Sequence, residues 1–476
     1  MPEKGATRTQ HDSLGEVAVP ESAYYGAQTE RAVENFPISG MVAHPEMVRA
    51  IALVKRAAAE ANLALGELDP RLGQAIVQAA REVADGRWRE HFVIDVFQAG
   101  AGTSFNMNAN EVIANRANEI LGGKLGDDAP VHPNDHVNMA QSTNDVYPTA
   151  MRLAALFLVQ KLLRVLGDLE RALNDKAREF DHIIKSGRTH LQDAVPVRLG
   201  QEFAAYAAAV GRSARRLEQA ADSLKELNIG ATAAGTGLNS HPCYRDEVVR
   251  RLSRLSDFDL RPAANLQEQT QSTISFADVS SALRLLALEL IRIANDLRLL
   301  SSGPRTGFGE IVLPPVQPGS SIMPGKVNPV MAEVLDMVCF QVVGNDLTIG
   351  LATQAGQLEL NVMMPVINFD LLMSLEILRN GARVFTDRCV VGITANEERN
   401  RQLLEASSAL ATALNPYIGY EAAAKVAQEA VRSGKTIRQL VLEQGLLSPE
   451  DLEKVLDPVG LTTPRERLDV KPRQKR

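Results

Sequence analysis

Two long segments of the chain repeat apolar residues at a spacing of three and four. Between 156 and 169 the repeat falls on two faces of the predicted helix, which carry Leu158, Leu162, Val165 and Leu169 on one side and Leu156, Val159, Leu163 and Leu166 on the other. Residues 283–300 show the same spacing. A helix with apolar neighbours on two sides belongs in a bundle of near-parallel helices. The pattern indicates that subunits share the bundle, although an internal core would explain it nearly as well.

The composition supports a helical fold, because aromatic residues, which strands favour, make up only 4% of the chain. We therefore expect an all-α chain with three parts. These are an N-terminal helical domain at 1–141, a central long-helix domain at 142–396 and a small helical domain at 397–476. Residues 1–45 are predicted to be mostly irregular, and the central domain is predicted to contain a helix over 199–227.

Charge and cysteine content argue against several classes of protein. A net charge of −7 argues against a nucleic-acid-binding surface. The strongest membrane candidate, 281–300, contains five charged residues, so no lipid span is expected. The chain begins with a polar stretch that has no apolar signal core. The three cysteines lie far apart without metal-ligand spacing, which suits a cytoplasmic protein.

An irregular segment interrupts the helical pattern between 303 and 329, where there are six prolines and five glycines. A long segment of this kind in a compact helical protein is usually a lid or a binding loop. Asn328-Pro329 predicts a helix N-cap followed by proline at the first helical position. Lys326 therefore lies near the positive end of a helix, where an anion is favoured. We predict an anion-binding lid at 317–329.

Polar residues concentrate in four stretches, at 100–104, 142–145, 187–193 and 320–328. Three of them precede or open predicted helices, and Thr103 is predicted as an N-cap. Any one stretch alone is explained by helix capping. Together with the lid lysine they favour a pocket for an anionic small molecule, because amide dipoles, hydroxyls and one cation suit carboxylates.

Two residue types in these stretches are candidates for chemistry. Ser320 and Ser321 have no G-x-S-x-G elbow around them, which argues against an acyl-serine hydrolase. Ser320 as a base and Ser320 as an ordinary loop serine remain equally supported by the residues alone. A lone histidine such as His190 is more often structural. His132 and His136 are four residues apart, but Pro133 and the lack of a third ligand argue against a metal site.

The lid sequence resembles the signature of the fumarase/aspartase superfamily, through Gly319-Ser320-x-x-Met323-x-x-Lys326-x-Asn328. Similar blocks are Thr103 with Asn106-Met107-Asn108, then Ser142-Thr143-Asn144 and Gly187-Arg188-Thr189-His190. The resemblance implies a three-domain, all-helical lyase fold whose central helices form a homotetrameric core. It also implies active sites shared by three subunits, and no metal or other cofactor.

The resemblance assigns a role to each site residue. Ser320 is similar to the general base that removes a proton next to a carboxylate, and Glu333 to the carboxylate that orients His190. The ligands of the reacting carboxylate would be Thr103, Ser142, Thr143 and Ser321, and those of the other carboxylate Lys326 and Asn328. Asn144, Thr189 and His190 would face the leaving group. The segment with His132, Asn134 and Asp135 is similar to a secondary anion site.

Within the superfamily, Ser142-Thr143-Asn144, Met139 and the segments 295–304 and 355–366 are typical of aspartases. Residues 26–29 are typical of fumarases, and Met364 departs from the acidic residue of many aspartases. The resemblance therefore favours reversible deamination of L-aspartate to fumarate through an enediolate, with hydration of fumarate to L-malate as the alternative. A catalytically silent scaffold, as in related lens crystallins, is disfavoured because the expected site residues are present.

Overall fold

The computed structural model describes residues 6–470. Residues 1–5 and 471–476, at the ends of the first and third predicted domains, lie outside the described part. The all-α prediction is confirmed: long helices dominate the described residues, and their strands form only two-stranded sheets.

The N-terminal segment corrects one prediction, because the described residues 6–45 contain a β-hairpin and a helix and are not mostly irregular. Strands β1 (Thr7–Asp12) and β2 (Gly15–Pro20) pair antiparallel, with Thr7 opposite Pro20 and Asp12 opposite Gly15. Val17 and Val19 alternate into a small buried cluster, the period-two pattern of a half-buried strand. Helix α1 (Ala27–Asn35) follows.

Seven helices follow in the first half of the chain. Helices α2 (Pro45–Leu65) and α3 (Pro70–Ala84) each have proline at the first position and a side-chain N-cap, which is His44 for α2 and Asp69 for α3. The remaining helices of this half are α4 (Thr103–Ile120), α5 (Thr143–Glu179), α6 (Leu199–Asp222), α7 (Tyr244–Ser256) and α8 (Leu266–Gln271). The helix predicted at 199–227 ends at Asp222.

A β-hairpin that was not predicted precedes α6. It consists of β3 (Ile184–Thr189) and β4 (Gln192–Arg198), paired antiparallel. The sequence there is mostly polar, so no apolar alternation revealed the strands. Two shorter pairs lie elsewhere: β5 (Glu226–Leu227) with β6 (Arg261–Pro262), and β7 (Ile311–Val312) with β8 (Thr394–Ala395).

Three long helices follow, α9 (Ile274–Leu300), α10 (Val330–Gln354) and α11 (Met364–Arg388). The stripe residues Leu283, Leu286, Leu290, Ile293 and Leu297 on α9 are fully buried. The C-terminal helices are α12 (Glu397–Ala406), α13 (Asn415–Ile418), α14 (Tyr420–Ser433), α15 (Ile437–Glu443) and α16 (Pro449–Val455). A separate apolar cluster, including Leu414, Val426, Val441, Leu452 and Val455, forms their core.

The chain forms two compact units. The first comprises Met1–Arg164, Ser213–Ala287 and Val338–Asn380, and the second comprises Val165–Arg212, Leu288–Met337 and Gly381–Arg476. The predicted domain boundaries after 141 and 396 divide the chain differently and remain predictions.

Helix α10 exposes an apolar seam on its surface. Met337, Phe340, Leu347 and Leu351 are 56–67% exposed, and with Gly344 they follow a spacing of three and four. In the described residues α10 is the one helix long and apolar enough to cross a membrane by length and composition alone. A single helix of this kind is weak evidence for a membrane span, because a helix of a soluble bundle has the same composition.

Candidate active site

The first group of predicted site residues lies at the start of α5. The Ser142 hydroxyl accepts from the Asn144 N–H at 3.3 Å, and the Ser142 carbonyl accepts from the Val146 N–H at 3.0 Å. Ser142 therefore caps the helix, as the capping interpretation predicts. The Asn144 side chain donates to the Ala233 carbonyl at 2.8 Å. These bonds place Ser142, Thr143 and Asn144 around the positive end of a 37-residue helix.

Asp145 fixes this helix start from the interior. Its carboxylate is fully buried and accepts from the N–H groups of Ser142 at 2.9 Å, Gly230 at 3.0 Å and Thr232 at 2.9 Å. Burial raises the pKa of Asp145 to about 7, against the opposing effect of these three bonds. The turn at 230–237 therefore wraps around a carboxylate of the chain itself.

A buried lysine beneath Thr143 was not predicted. Lys55 is fully buried, and its ammonium donates to Asn138 at 3.0 Å and to Gln141 at 2.9 Å. Burial lowers the pKa of Lys55 to about 7, while the charge of Asp145 acts in the opposite direction. The one signal in the sequence is a lysine in the apolar run of α2, where a buried helix face is expected.

Thr103 is not the N-cap of α4. Gly102 occupies that position with a φ of +93°, and Thr103 is the first helical residue. A Cβ at Gly102 would come within 2.4 Å of the Tyr147 ring, which explains why glycine stands there. The Thr103 hydroxyl is exposed and donates to the Gly100 carbonyl at 2.6 Å.

The second group lies at the tip of the β3–β4 hairpin. Thr189 pairs with Gln192, and His190 and Leu191 form the turn with φ values of +57° and +58°. Such turns favour Asn-Gly, because other residues cost about 1–2 kcal/mol each in this region. Strained non-glycine residues of this kind cluster at functional sites. Thr189 and His190 are both exposed, so their side chains are free to meet a ligand.

A buried ion cluster holds the base of this hairpin. Lys185 pairs with Glu202 at 2.8 Å and with Glu310 at 3.0 Å, and Arg188 pairs with Glu310 at 2.8 Å. Lys185 and Glu310 are buried almost completely. The guanidinium of Arg188 lies 4.1 Å from the centre of the Phe308 ring. The cluster ties the hairpin to the segment that leads into the lid.

The third group is the lid, which closes on itself. The Gly319 N–H donates to the Lys326 carbonyl at 2.9 Å, and the Asn328 side chain donates to the Gly319 carbonyl at 2.6 Å. A Cβ at Gly319 would lie 2.3 Å from the Lys326 carbonyl oxygen. Glycine is therefore required at the base of the loop.

The hydroxyl of Ser320 accepts hydrogen bonds from two backbone N–H groups of the lid. The donors are Met323 at 3.0 Å and Ile322 at 3.3 Å. Donors at an oxygen favour its anionic form. Both donors belong to residues of the lid itself, so the local backbone brings them to the hydroxyl.

The charged residues around the lid have distinct environments. Lys326 is exposed, and within residues 6–470 it forms no ion pair, which leaves its ammonium available to an anion. Helix α10 begins at Val330, and the Pro329 carbonyl accepts from the Glu333 N–H, so Pro329 and not Asn328 is the N-cap. Glu333 lies 4.0 Å from Arg298. Its role in orienting His190 remains a prediction.

In the segment predicted as a secondary anion site, a side chain of the chain itself already accepts from the backbone N–H groups. The His132 ring accepts from the N–H groups of Asn134 at 3.3 Å and Asp135 at 3.2 Å. An anion there would compete with the ring for those donors. The adjoining cavity, about 320 Å³ in volume, is also lined by Asp12, Glu111 and Asp128. This second site remains a prediction.

A cavity of about 680 Å³ in the first unit is mostly apolar and is lined by residues such as Phe92, Phe105 and Leu372. None of the predicted site residues lines it. Cavity size therefore does not identify the site.

Comparison with known proteins gives the class of the chain. A family model described as "Lyase" matches residues 15–344, and one described as "Fumarase C C-terminus" matches residues 410–463. The chain belongs to the fumarase/aspartase superfamily of lyases. A crystal structure titled fumarate lyase:delta crystallin, from Brucella melitensis, has 50% identity and a TM-score of 0.94, covering 96% of this chain and 100% of that one.

Two curated relatives indicate which members of the superfamily this chain is similar to. Aspartate ammonia-lyase of Bacillus subtilis (strain 168) is 53% identical over 457 residues, which is 96% of each chain. Fumarate hydratase class II 2 of Bradyrhizobium diazoefficiens is 47% identical over 460 residues, which is 96% of this chain and 97% of the relative.

Replacing Glu310 tests the buried ion cluster. Glu310→Gln removes the negative charge that pairs with the buried Lys185 and the half-buried Arg188, so we expect a loss of about 3 kcal/mol in unfolding free energy. Urea unfolding measures the loss, and hydrogen exchange over Ile184–Arg198 should accelerate. Glu398→Gln, which removes a carboxylate from an exposed pair with Arg401, is the matched control and should change neither. An unchanged exchange rate in the hairpin would contradict the role of the cluster.

Replacing Gly319 tests the lid base. The methyl group of Gly319→Ala collides with the Lys326 carbonyl, so the loop must open and Ser320 must move. We expect turnover to fall at least ~100-fold, since a displacement of about 1 Å can cost that much. Gly167→Ala adds the same methyl group to α5, with its nearest neighbour at 3.8 Å, and should leave turnover unchanged. Steady-state kinetics decides, and full activity of Gly319→Ala would show that the closed loop is dispensable.

Proposed function

We propose that this chain is an aspartate ammonia-lyase, which converts L-aspartate reversibly to fumarate and ammonia. One observation carries the proposed chemistry: the Ser320 hydroxyl accepts hydrogen bonds from two backbone N–H groups, in a lid that also contains the exposed Lys326. Aspartate ammonia-lyases that are 46–53% identical over nearly the whole chain support the substrate.

The reaction requires a strong stabilisation of negative charge. The proton to be removed lies on the carbon next to a carboxylate and is only weakly acidic. It becomes removable when the charge spreads onto that carboxylate as an enediolate. Each positioned donor to the developing charge contributes roughly 10²–10³ in rate, and a positioned base contributes ~10²–10⁴.

The three groups of residues supply the components of this chemistry. In the proposal, Ser320 accepts the proton, and its alkoxide form is favoured by the Ile322 and Met323 N–H groups. Thr103, Ser142, Thr143 and Ser321 donate to the carboxylate that becomes the enediolate. Lys326 and Asn328 bind the other carboxylate. Asn144, Thr189 and His190 face the departing amine, with Glu333 orienting His190.

We further propose a homotetramer with active sites shared by three subunits. The exposed seam of α10 supports it, because a three-four repeat of apolar residues normally meets a partner helix. The chain's three cysteines, all within residues 6–470, form no disulfide among themselves, which agrees with the proposed cytoplasmic location.

The second candidate function is hydration of fumarate to L-malate, and the Bradyrhizobium relative named fumarate hydratase favours it. Absorbance of fumarate separates the alternatives. We expect fumarate from L-aspartate and little or none from L-malate. Fumarate from L-malate alone would establish the hydratase, and no fumarate from either would indicate a silent scaffold.

Replacing Ser320 tests the base. Ser320→Ala should lower kcat on L-aspartate at least ~100-fold, because no other group would accept the proton. Ser433→Ala is the control, since this exposed serine on α14 donates only to the Glu429 carbonyl. Near-normal turnover of Ser320→Ala, with the assembly intact, would remove Ser320 from the role of base.

Charges in the α10 seam test the tetramer. Met337→Glu with Phe340→Glu should shift the protein from four subunits of 51.7 kDa to smaller species, and should abolish activity because each site loses its partners. Light scattering coupled to gel filtration measures the mass. Val431→Glu alters an apolar residue of similar exposure on α14 and should leave the mass unchanged. A monomeric, active wild type would refute the shared site.

A further inference from the structure

A series of hydrogen-bonded side chains leads from Lys55 through Asn138 and Asn106 to Thr143. The Lys55 Nζ donates to the side-chain oxygens of Asn138 at 3.0 Å and Gln141 at 2.9 Å. A lysine head group that donates both bonds requires an oxygen, and not an amide nitrogen, on each partner. The same Asn138 oxygen accepts from the Asn110 Nδ2 at 3.1 Å, and the Asn138 Nδ2 donates to the Gln141 carbonyl at 3.2 Å. Lys55, as the charged donor of this set, therefore helps to set the orientation of the Asn138 carboxamide.

Asn138 in turn sets the orientation of Asn106. Its Oδ1 also accepts from the Asn106 Nδ2 at 3.2 Å. Since an oxygen faces Asn106, Asn106 must turn its nitrogen toward Asn138. The Asn106 Oδ1 is buried and has no hydrogen-bond partner within residues 6–470. An unpaired buried acceptor costs about 1–3 kcal/mol, so this orientation is maintained against a cost.

The same Asn106 nitrogen lies 3.2 Å from the Thr143 Oγ1. The nitrogen carries only hydrogens, so the Thr143 oxygen must accept there. A threonine hydroxyl has one proton, and within the described chain the Thr143 hydroxyl donates it to no acceptor. The proton is therefore kept free for a group that arrives from outside.

We infer that Asn106, oriented by Lys55 through Asn138, is a positioning residue that makes Thr143 a hydrogen-bond donor to the substrate. This inference rests on the proposed function, in which Thr143 binds the carboxylate that becomes the enediolate. The charge on that carboxylate is greater in the transition state than in bound aspartate. Loss of the orientation should therefore reduce kcat more than it raises KM.

A double-mutant cycle tests the inference with L-aspartate as substrate. Asn106→Leu keeps the shape of the side chain and removes the donor, so kcat should fall ~10–100-fold. Thr143→Val should cause a loss at least as large. If Asn106 acts through Thr143, the double variant should be within about threefold of Thr143→Val alone, whereas independent effects would multiply.

Lys55→Met tests the first residue of this hydrogen-bonded series in the same way. It removes the charged donor among the groups that orient Asn138, and its effect on kcat should also disappear in the Thr143→Val background. The two cycles use separate variants, so if Asn106→Leu fails to assemble, Lys55→Met decides.

Asn108→Leu is the matched control, because Asn108 is equally buried on α4, donates to the His91 carbonyl at 2.9 Å and does not contact Thr143. It should lower stability and leave kcat within about threefold of wild type. Multiplicative losses in both cycles, or an equal loss of kcat in Asn108→Leu, would overturn the inference. A wild type that is inactive on L-aspartate would instead refute the proposed function.

Discussion

The carboxylate of Asp145 accepts three backbone hydrogen bonds in the interior of the first unit, and the start of α5 depends on it. Burying a carboxylate costs several kcal/mol unless its oxygens are satisfied. Here the cost is offset because one side chain connects Ser142 with the backbone of Gly230 and Thr232. Ser142, Thr143 and Asn144 are thereby held at the end of a long helix, where its dipole favours an anion.

The second unit uses the same strategy with a different set of charges. Glu310 pairs with Lys185 and Arg188 below the hairpin that carries Thr189 and His190. The lid is held by backbone bonds instead, with Gly319 opposite Lys326. Buried polar interactions therefore support the hairpin and the helix start, while the lid depends mainly on local geometry. This difference suits the proposed role of the segment as a substrate-binding lid.

Much of this arrangement was predictable from local sequence. The apolar spacing indicates the long helices, and the capping interpretation of the polar stretch at 142–145 is correct for Ser142. The lid residues form a family signature, so Ser320, Lys326 and Asn328 are proposed as site residues without coordinates. The caps at Thr103 and Asn328 were placed wrongly by one residue, because Gly102 and Pro329 take the N-cap positions. Neighbouring residues in such stretches have similar capping propensity, and only backbone geometry distinguishes them.

The sequence by itself determined the helical class, the family and the set of proposed site residues, because each depends on periodicity or on short contiguous patterns. Tertiary structure decided the β-hairpin under His190, the pairing of Glu310 with Lys185 and the orientation of Asn106 by Lys55. The last two of these features join residues that are tens to more than a hundred positions apart. The role of a buried charge or amide depends on the group that pairs with it, and a local sequence pattern does not show which distant residue that group belongs to.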